Sequence, residues 1–246
     1  MSAWLFDLGN TRLKCAPLHA DGGRGDVIAI SHRDTDVAAA LAQVLPTRFE
    51  VAYLASVASA ELRVTVLDAL ASHCGRIAIA RTQSHFGELR IAYAQPHRLG
   101  VDRFLSLLAV RAQAGSAALV CGVGTALTVD LLDRAGSHRG GRIAPSPASM
   151  REALHARAPH LPAHGGGYRE FADDTDDALA SGCEGAALGL IDRSLDAATR
   201  ELGELPALYL HGGGGEALLS HLPAARWSPG LVLDGLAIWA GIEFSR

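Results

Sequence analysis

Residues 5–14, LFDLGNTRLK, put a carboxylate, a tight turn, a hydroxyl and an ammonium within ten positions. Asp7 emerges at the end of an apolar strand, Gly9-Asn10-Thr11 turns the chain, and Lys14 follows on the return. Lys14 is the only lysine among 22 Lys and Arg residues. A strand, Asp-x-Gly-x-Thr, strand hairpin exposes backbone N–H groups and a Thr hydroxyl, both good donors to a phosphate. Asp7 could hold Mg2+ through water, because magnesium keeps much of its hydration shell and takes few carboxylates. Lys14 would supply a mobile point charge, a role in which an ammonium differs from a guanidinium. Taken alone, a Gly-Asn hairpin with a surface lysine explains the stretch equally well.

Two further stretches share this chemistry. GVGTALTVD (122–130) again presents Gly124-Thr125 between apolar strands, with Asp130 closing the segment. LHGGGGEALL (210–219) sets four glycines between a strand and a helix-like segment, where a ligand could approach the backbone closely. Each alone reads as an ordinary tight connection. Two Gly-Thr hairpins plus a glycine turn are more specific and fit a nucleotide held between two related domains. Asp102, after Gly100 at a turn into a helix, is either an N-terminal Asp favoured by the helix dipole or a carboxylate directed at a substrate. Eleven histidines, among them His155, His160 and His164, show no His-Glu-x-x-His spacing and read as solvated loop residues.

Strand-helix alternation runs through the chain and predicts an α/β fold. Strands are expected over 3–8, 15–20, 27–31, 49–57 and 76–81, with helices over 34–47, 59–75 and 99–115. The second half repeats the opening over 117–133 as strand, Gly-Thr turn and strand, which predicts two related halves with a seam near 112–116. The expected domains are 1–114 and 115–246. A Gly, Pro and His-rich interruption over 136–167 holds a helix at 150–158. One or two helices follow over 173–202, then strand, turn and helix over 207–222, and a last helix over 231–242.

With 49% apolar and 20% charged residues the composition is that of a globular protein. A net charge of −4 with scattered arginines argues against a nucleic-acid surface. Cys15, Cys74, Cys121 and Cys183 lie far apart with no framework spacing, which points to a reduced, cytoplasmic protein. The start lacks a basic n-region, so no secretory signal is expected. The charge-free run 112–129 contains Gln113, Ser116, three glycines and two threonines, and reads as a buried strand with flanking turns rather than a membrane span.

The segments Asp7-x-Gly9-Asn10-Thr11-x-x-Lys14, Gly100-Val101-Asp102-Arg103 and Gly124-Thr125-Ala126-x-Thr128-x-Asp130 resemble, in order and spacing, the three motifs of type III pantothenate kinases. Smaller matches cover nearly the whole chain: Tyr93 and Pro96, GGRIAPS (140–146), TDDALASG (175–182), HGGGG (211–215) and LVLDGL (231–236). The resemblance implies two duplicated ribonuclease-H-like domains of the actin-like ATPase fold with a nucleotide cleft between them. It also implies ATP-dependent phosphorylation of pantothenate on its terminal hydroxyl, the first step toward coenzyme A, with Mg2+ accompanying ATP. By the same resemblance Asp102 is the catalytic base. Asp7, Leu8, Gly9, Asn10, Thr11, Arg12, Leu13, Lys14 and Thr125 would contact ATP. Tyr93, Gly100, Val101, Asp102, Arg103 and Thr175 would contact pantothenate, Thr175 across a homodimer interface. The family usually carries Asp two residues before the second-motif glycine, where it binds a monovalent cation such as K+ or NH4+. Here that position is Gly122, which has no side-chain oxygen, so reduced potassium dependence is expected. The competing readings are a kinase of the same superfamily acting on a sugar or acetate, and a transcription-accessory binding protein that keeps the fold without turnover.

Overall fold

Two five-stranded sheets with the same internal order organise the chain. The structure, a computed structural model, describes residues 2–32, 35–113 and 115–243. The chain folds as two compact units, one of residues 1–113 with 230–246 and a second of 114–229.

In the first unit, β1 (Ala3–Leu8) and β2 (Arg12–Leu18) form the expected hairpin, and β3 (Ile28–Ser31) adds antiparallel to β2. Helix α1 (Val37–Val44) begins behind Asp36, whose carboxylate accepts from the Ala38 and Ala39 N–H groups; the expected start at Asp34 lies outside the described residues. Strand β4 (Phe49–Ser56) runs parallel to β1, and helix α2 (Ala60–Ala71) is capped by Ser59. The expected helix end at Gly75 is corrected: α2 stops at Ala71, and Cys74 already pairs with Phe49 as β5 (Cys74–Ile79) begins. The two-residue strands β6 (His85–Phe86) and β7 (Leu89–Arg90) follow, then a 3-10 turn, Pro96–Arg98, and helix α3 (Val101–Gln113). The sheet order is β3-β2-β1-β4-β5.

Because successive strand residues face opposite sides, β1 splits its duties. Phe6 and Leu8 join Leu13, Leu54, Leu41 and Leu70 in a core against α1 and α2. Asp7 takes the other side, where α3 packs and where Tyr53 meets Trp239 edge-on. Fully burying each Leu or Phe is worth about 1.5–3 kcal/mol, so this register is strongly held.

In the second unit, β8 (Ala118–Val123), β9 (Ala126–Leu132) and β10 (His138–Pro145) form an antiparallel meander. Helix α4 (Pro147–Arg157) follows, with Ser146 as cap and Pro147 in the first turn, where its missing N–H costs nothing. A single helix, α5 (Thr175–Leu202), ends at Gly203 in the left-handed region. Strand β11 (Ala207–His211) runs parallel to β8, and the two-residue β12 (Arg226–Trp227) closes the sheet in the order β10-β9-β8-β11-β12. Leu119, Cys121 and Val123 face the α5 side with Leu127, Val129, Leu210 and Ile191. Strand for strand this is the order and pairing sense of the first unit, so the chain is a duplicated α/β fold.

Three expectations change. The interruption over 136–167 opens with strand β10. The segment after the four glycines is a 3-10 turn, Glu216–His221, rather than an α-helix. The last helix, α6 (Leu231–Glu243), falls in the first unit and not in 115–246: it packs on α3 and β1, and Gly235 lets its backbone approach Leu105 so closely that a Cβ would overlap the Leu105 carbonyl oxygen.

Candidate active site

The first unit gathers Asp7, Lys14 and Asp102. Asp7 and Lys14 are direct partners across the β1–β2 hairpin and therefore share one face of the sheet. The turn between them closes through Gly9 N–H donating to the Arg12 carbonyl at 3.1 Å, and His32 Nε2 lies 3.0 Å from the Gly9 carbonyl. Leu8 and Leu13 bury their side chains in the core and leave only backbone for a ligand, whereas Asn10 and Arg12 are exposed.

Asp102 enters this recess from the first turn of α3. Its Oδ1 accepts the Arg103 N–H at 2.9 Å, and Gly100 makes room for it: a Cβ at 100 would lie 2.5 Å from that oxygen. The carboxylate is close enough to Asp7 for its charge to act there. Burial, then the negative charge of Asp102, push the Asp7 carboxyl up to about 7, with Lys14 pulling the other way. Two acids in one recess repel until a cation arrives. This donor set suits a magnesium ion that takes one carboxylate, waters and phosphate oxygens; among the described residues no group of three His, Cys, Asp or Glu could hold a metal unaided.

Arg103 departs from the surface arginine that helix position alone would suggest. It is only 6% exposed, its Nη1 donates to the Tyr93 hydroxyl at 3.4 Å, and its guanidinium lies 5.9 Å from the Tyr93 ring centre. A buried guanidinium beside a phenol has the chemistry to bind an anionic or hydroxylated ligand.

The remaining expected residues lie in the second unit. Thr125 is exposed at the β8–β9 turn, where Gly124 N–H donates to Ala126 and the Thr125 carbonyl accepts Ser149 Oγ at 2.6 Å. Thr175 is exposed as the first residue of α5, and the capping role goes to Asp174, which accepts from Asp177 N–H. Three of the four glycines, Gly212, Gly214 and Gly215, serve close packing: Gly212, at φ +90°, passes so near β8 that a Cβ would overlap the Val123 carbonyl oxygen, and Gly214 N–H donates to that oxygen. Asp130 is buried and held by His138 Nε2 at 2.9 Å, so it works in the interior. All four cysteines are free and buried.

A family model described as type III pantothenate kinase matches residues 4–197. The type III pantothenate kinase of Stenotrophomonas maltophilia (strain K279a) is 54% identical over 240 residues, 98% of each chain. The chain belongs to the type III pantothenate kinase family. Its fold also matches, at a TM-score of 0.62 and 18% identity, a Campylobacter jejuni protein assigned to the Baf family of transcriptional activators, over 99% of this chain and 100% of that one. An archaeal actin homologue matches at a TM-score of 0.53 and 10% identity, over 98% and 99%. These distant likenesses concern the fold, which is actin-like. A type III pantothenate kinase on this fold implies a nucleotide and a divalent metal.

Sequence reasoning names every residue of the Asp7–Lys14–Asp102 recess.

Proposed function

We propose that this member of the type III pantothenate kinase family transfers the γ-phosphoryl group of ATP to the terminal hydroxyl of pantothenate, the first step of coenzyme A synthesis. The observation that carries the reading is the Asp7–Lys14–Asp102 recess beside a Gly-Asn-Thr turn. Phosphoryl transfer asks the protein for positioning and charge stabilisation rather than covalent help, and those are the groups this recess offers.

In this reading Asp102 accepts the proton of the attacking hydroxyl as the new oxygen–phosphorus bond forms. The bond from the γ-phosphorus to the bridging oxygen breaks, and ADP carries away its electron pair. The turn within residues 8–13, with the Thr11 hydroxyl, would orient the phosphates, Lys14 would balance their charge, and Thr125 would be a further ATP contact. Asp7 would hold Mg2+ through water; the ion neutralises phosphate charge. Arg103, Tyr93, Gly100, Val101 and Thr175 would hold pantothenate, Thr175 from the partner copy of a cytoplasmic homodimer. Among the described residues no helix is long and apolar enough to cross a membrane.

The proximity of Asp102 to Asp7, which raises the Asp7 carboxyl, supports turnover over a purely regulatory role. A coupled ATP-consumption assay with pantothenate, with and without Mg2+, tests the reading. Turnover that requires both supports it, and a sugar or acetate that outpaces pantothenate overturns it.

A further inference from the structure

Each unit places a row of three residues across its three central strands, at the level of its Gly-Thr turn. In the first unit the row is Lys14 on β2, Asp7 on β1 and Ala55 on β4. In the second, the same pairings give Thr128 on β9, Gly122 on β8 and His211 on β11. Both rows face away from the apolar core of their own sheet, and in both the middle residue stands two positions before the turn glycine. The rows fill their space differently. Small Ala55 flanks the carboxylate of Asp7, whereas in the second row the middle strand contributes nothing and the imidazole covers it. A Cβ at 122 would lie 2.8 Å from His211 Nε2, 2.9 Å from His211 Cε1 and 2.8 Å from Thr128 Oγ1.

These residues do not fit a carboxylate-held monovalent cation. Position 122 has no side-chain oxygen, the space an Asp side chain would enter is taken by the ring, and an imidazole nitrogen is a poor ligand for a hard alkali cation that selects oxygen. We propose that His211 takes the place of that cation, presenting its imidazole to the nucleotide phosphates beside Gly124-Thr125, so that turnover needs neither K+ nor NH4+.

The inference rests on the kinase reading but is tested separately from it. Rates with ATP and pantothenate are measured in K+, NH4+ and tetramethylammonium at equal ionic strength, and melting temperatures are read in the same salts without substrates. Wild type should show rates agreeing within about twofold and no K+-specific rise in Tm. His211→Ala should raise the KM for ATP about tenfold with the KM for pantothenate unchanged, and His211→Gln, which keeps a donor, should recover part of the loss. The double variant G122D/H211A, with a carboxylate and room for it, should gain about tenfold activation by K+ and a K+-specific Tm rise. Strong K+ activation or a K+-specific Tm shift in wild type overturns the inference. So does an unchanged KM for ATP in His211→Ala, or a double variant indifferent to K+. Absence of turnover in every salt would refute the kinase reading instead, while the melting temperatures still decide the cation question.

Discussion

Asp7→Asn should make the ligand-free protein more stable, and only at the upper end of the pH range. Asparagine keeps the shape of the protonated acid and removes the charge that the recess disfavours. The Asp7 carboxyl is pushed from its ordinary 3.8 up to about 7, first by burial and then by Asp102. Each tenfold change in an acid constant is worth 1.36 kcal/mol, so the ionised wild type carries up to about 4 kcal/mol of penalty. Part of the side chain reaches water, and a gain of about 2–4 kcal/mol is expected. Below about pH 3.8 Asp7 is protonated in folded and unfolded chains alike, and variant and wild type agree. Between that value and about 7 the unfolded chain releases a proton that the folded chain keeps, so wild type loses stability as pH rises. Above it both forms are ionised and the full gap persists. Thermal melts of both proteins from pH 4 to 8 read this directly, at about 2–4 °C per kcal/mol for a chain of this size. Mg2+ with ATP should reverse the order, stabilising wild type and leaving Asp7→Asn nearly unmoved. Equal melting temperatures at pH 8, or a gap that does not shrink toward pH 4, would refute the reasoning.

Asp102→Asn should lower kcat by about 10²–10⁴ while ATP still raises the melting temperature, which separates a base from a binding residue. Combined with Asp7→Asn it should stabilise less than the sum of the two changes, because both relieve one repulsion. Gly235→Ala should cost about 1–3 kcal/mol or more, since its Cβ would meet the Leu105 carbonyl oxygen; Gly189→Ala on α5, with nothing within 4 Å of its Cβ, should be neutral or stabilising in the same melt. Thr175→Val should raise the KM for pantothenate and leave that for ATP unchanged, and sedimentation should find a dimer.

The two hairpins are legible in the sequence because their signals are local: Gly-Asn-Thr or Gly-Thr between apolar runs leaves few conformations. Strand β10 is hidden because Gly140 and Gly141 erase the alternation that marks a strand, and its register is broken between His138 and Gly140. The end of α2 is misplaced because Gly75 resembles a helix stop, while pairing of Cys74 with Phe49 decides the matter from a distance. The place of α6 in the first unit is equally hard to read. It packs on α3 and β1, far away in sequence, and only Gly235 inside an apolar helix hints at a close backbone approach. The recess itself is legible in its residue types, whereas the burial of Arg103 against Tyr93 requires the fold.

The duplicated topology explains why one scaffold yields two rows of different composition at corresponding positions. Strand pairing fixes which three positions face one another, so a change on one strand is felt by its two neighbours and hardly beyond them. Where Asp7 occupies the middle strand, the parallel neighbour is Ala55 and the antiparallel neighbour is the cation Lys14, giving a charge pair in which the acid can carry a metal. With Gly122 in the middle, the parallel neighbour can grow to His211 and the antiparallel neighbour needs only a hydroxyl. A carboxylate at the second middle position would add a further acid that needs its own cation. On the proposal above, an imidazole in the second row would remove that requirement. On the proposed reading, the asymmetry between the twin hairpins would divide the labour, with the metal-linked charge in one unit and a nitrogen donor in the other.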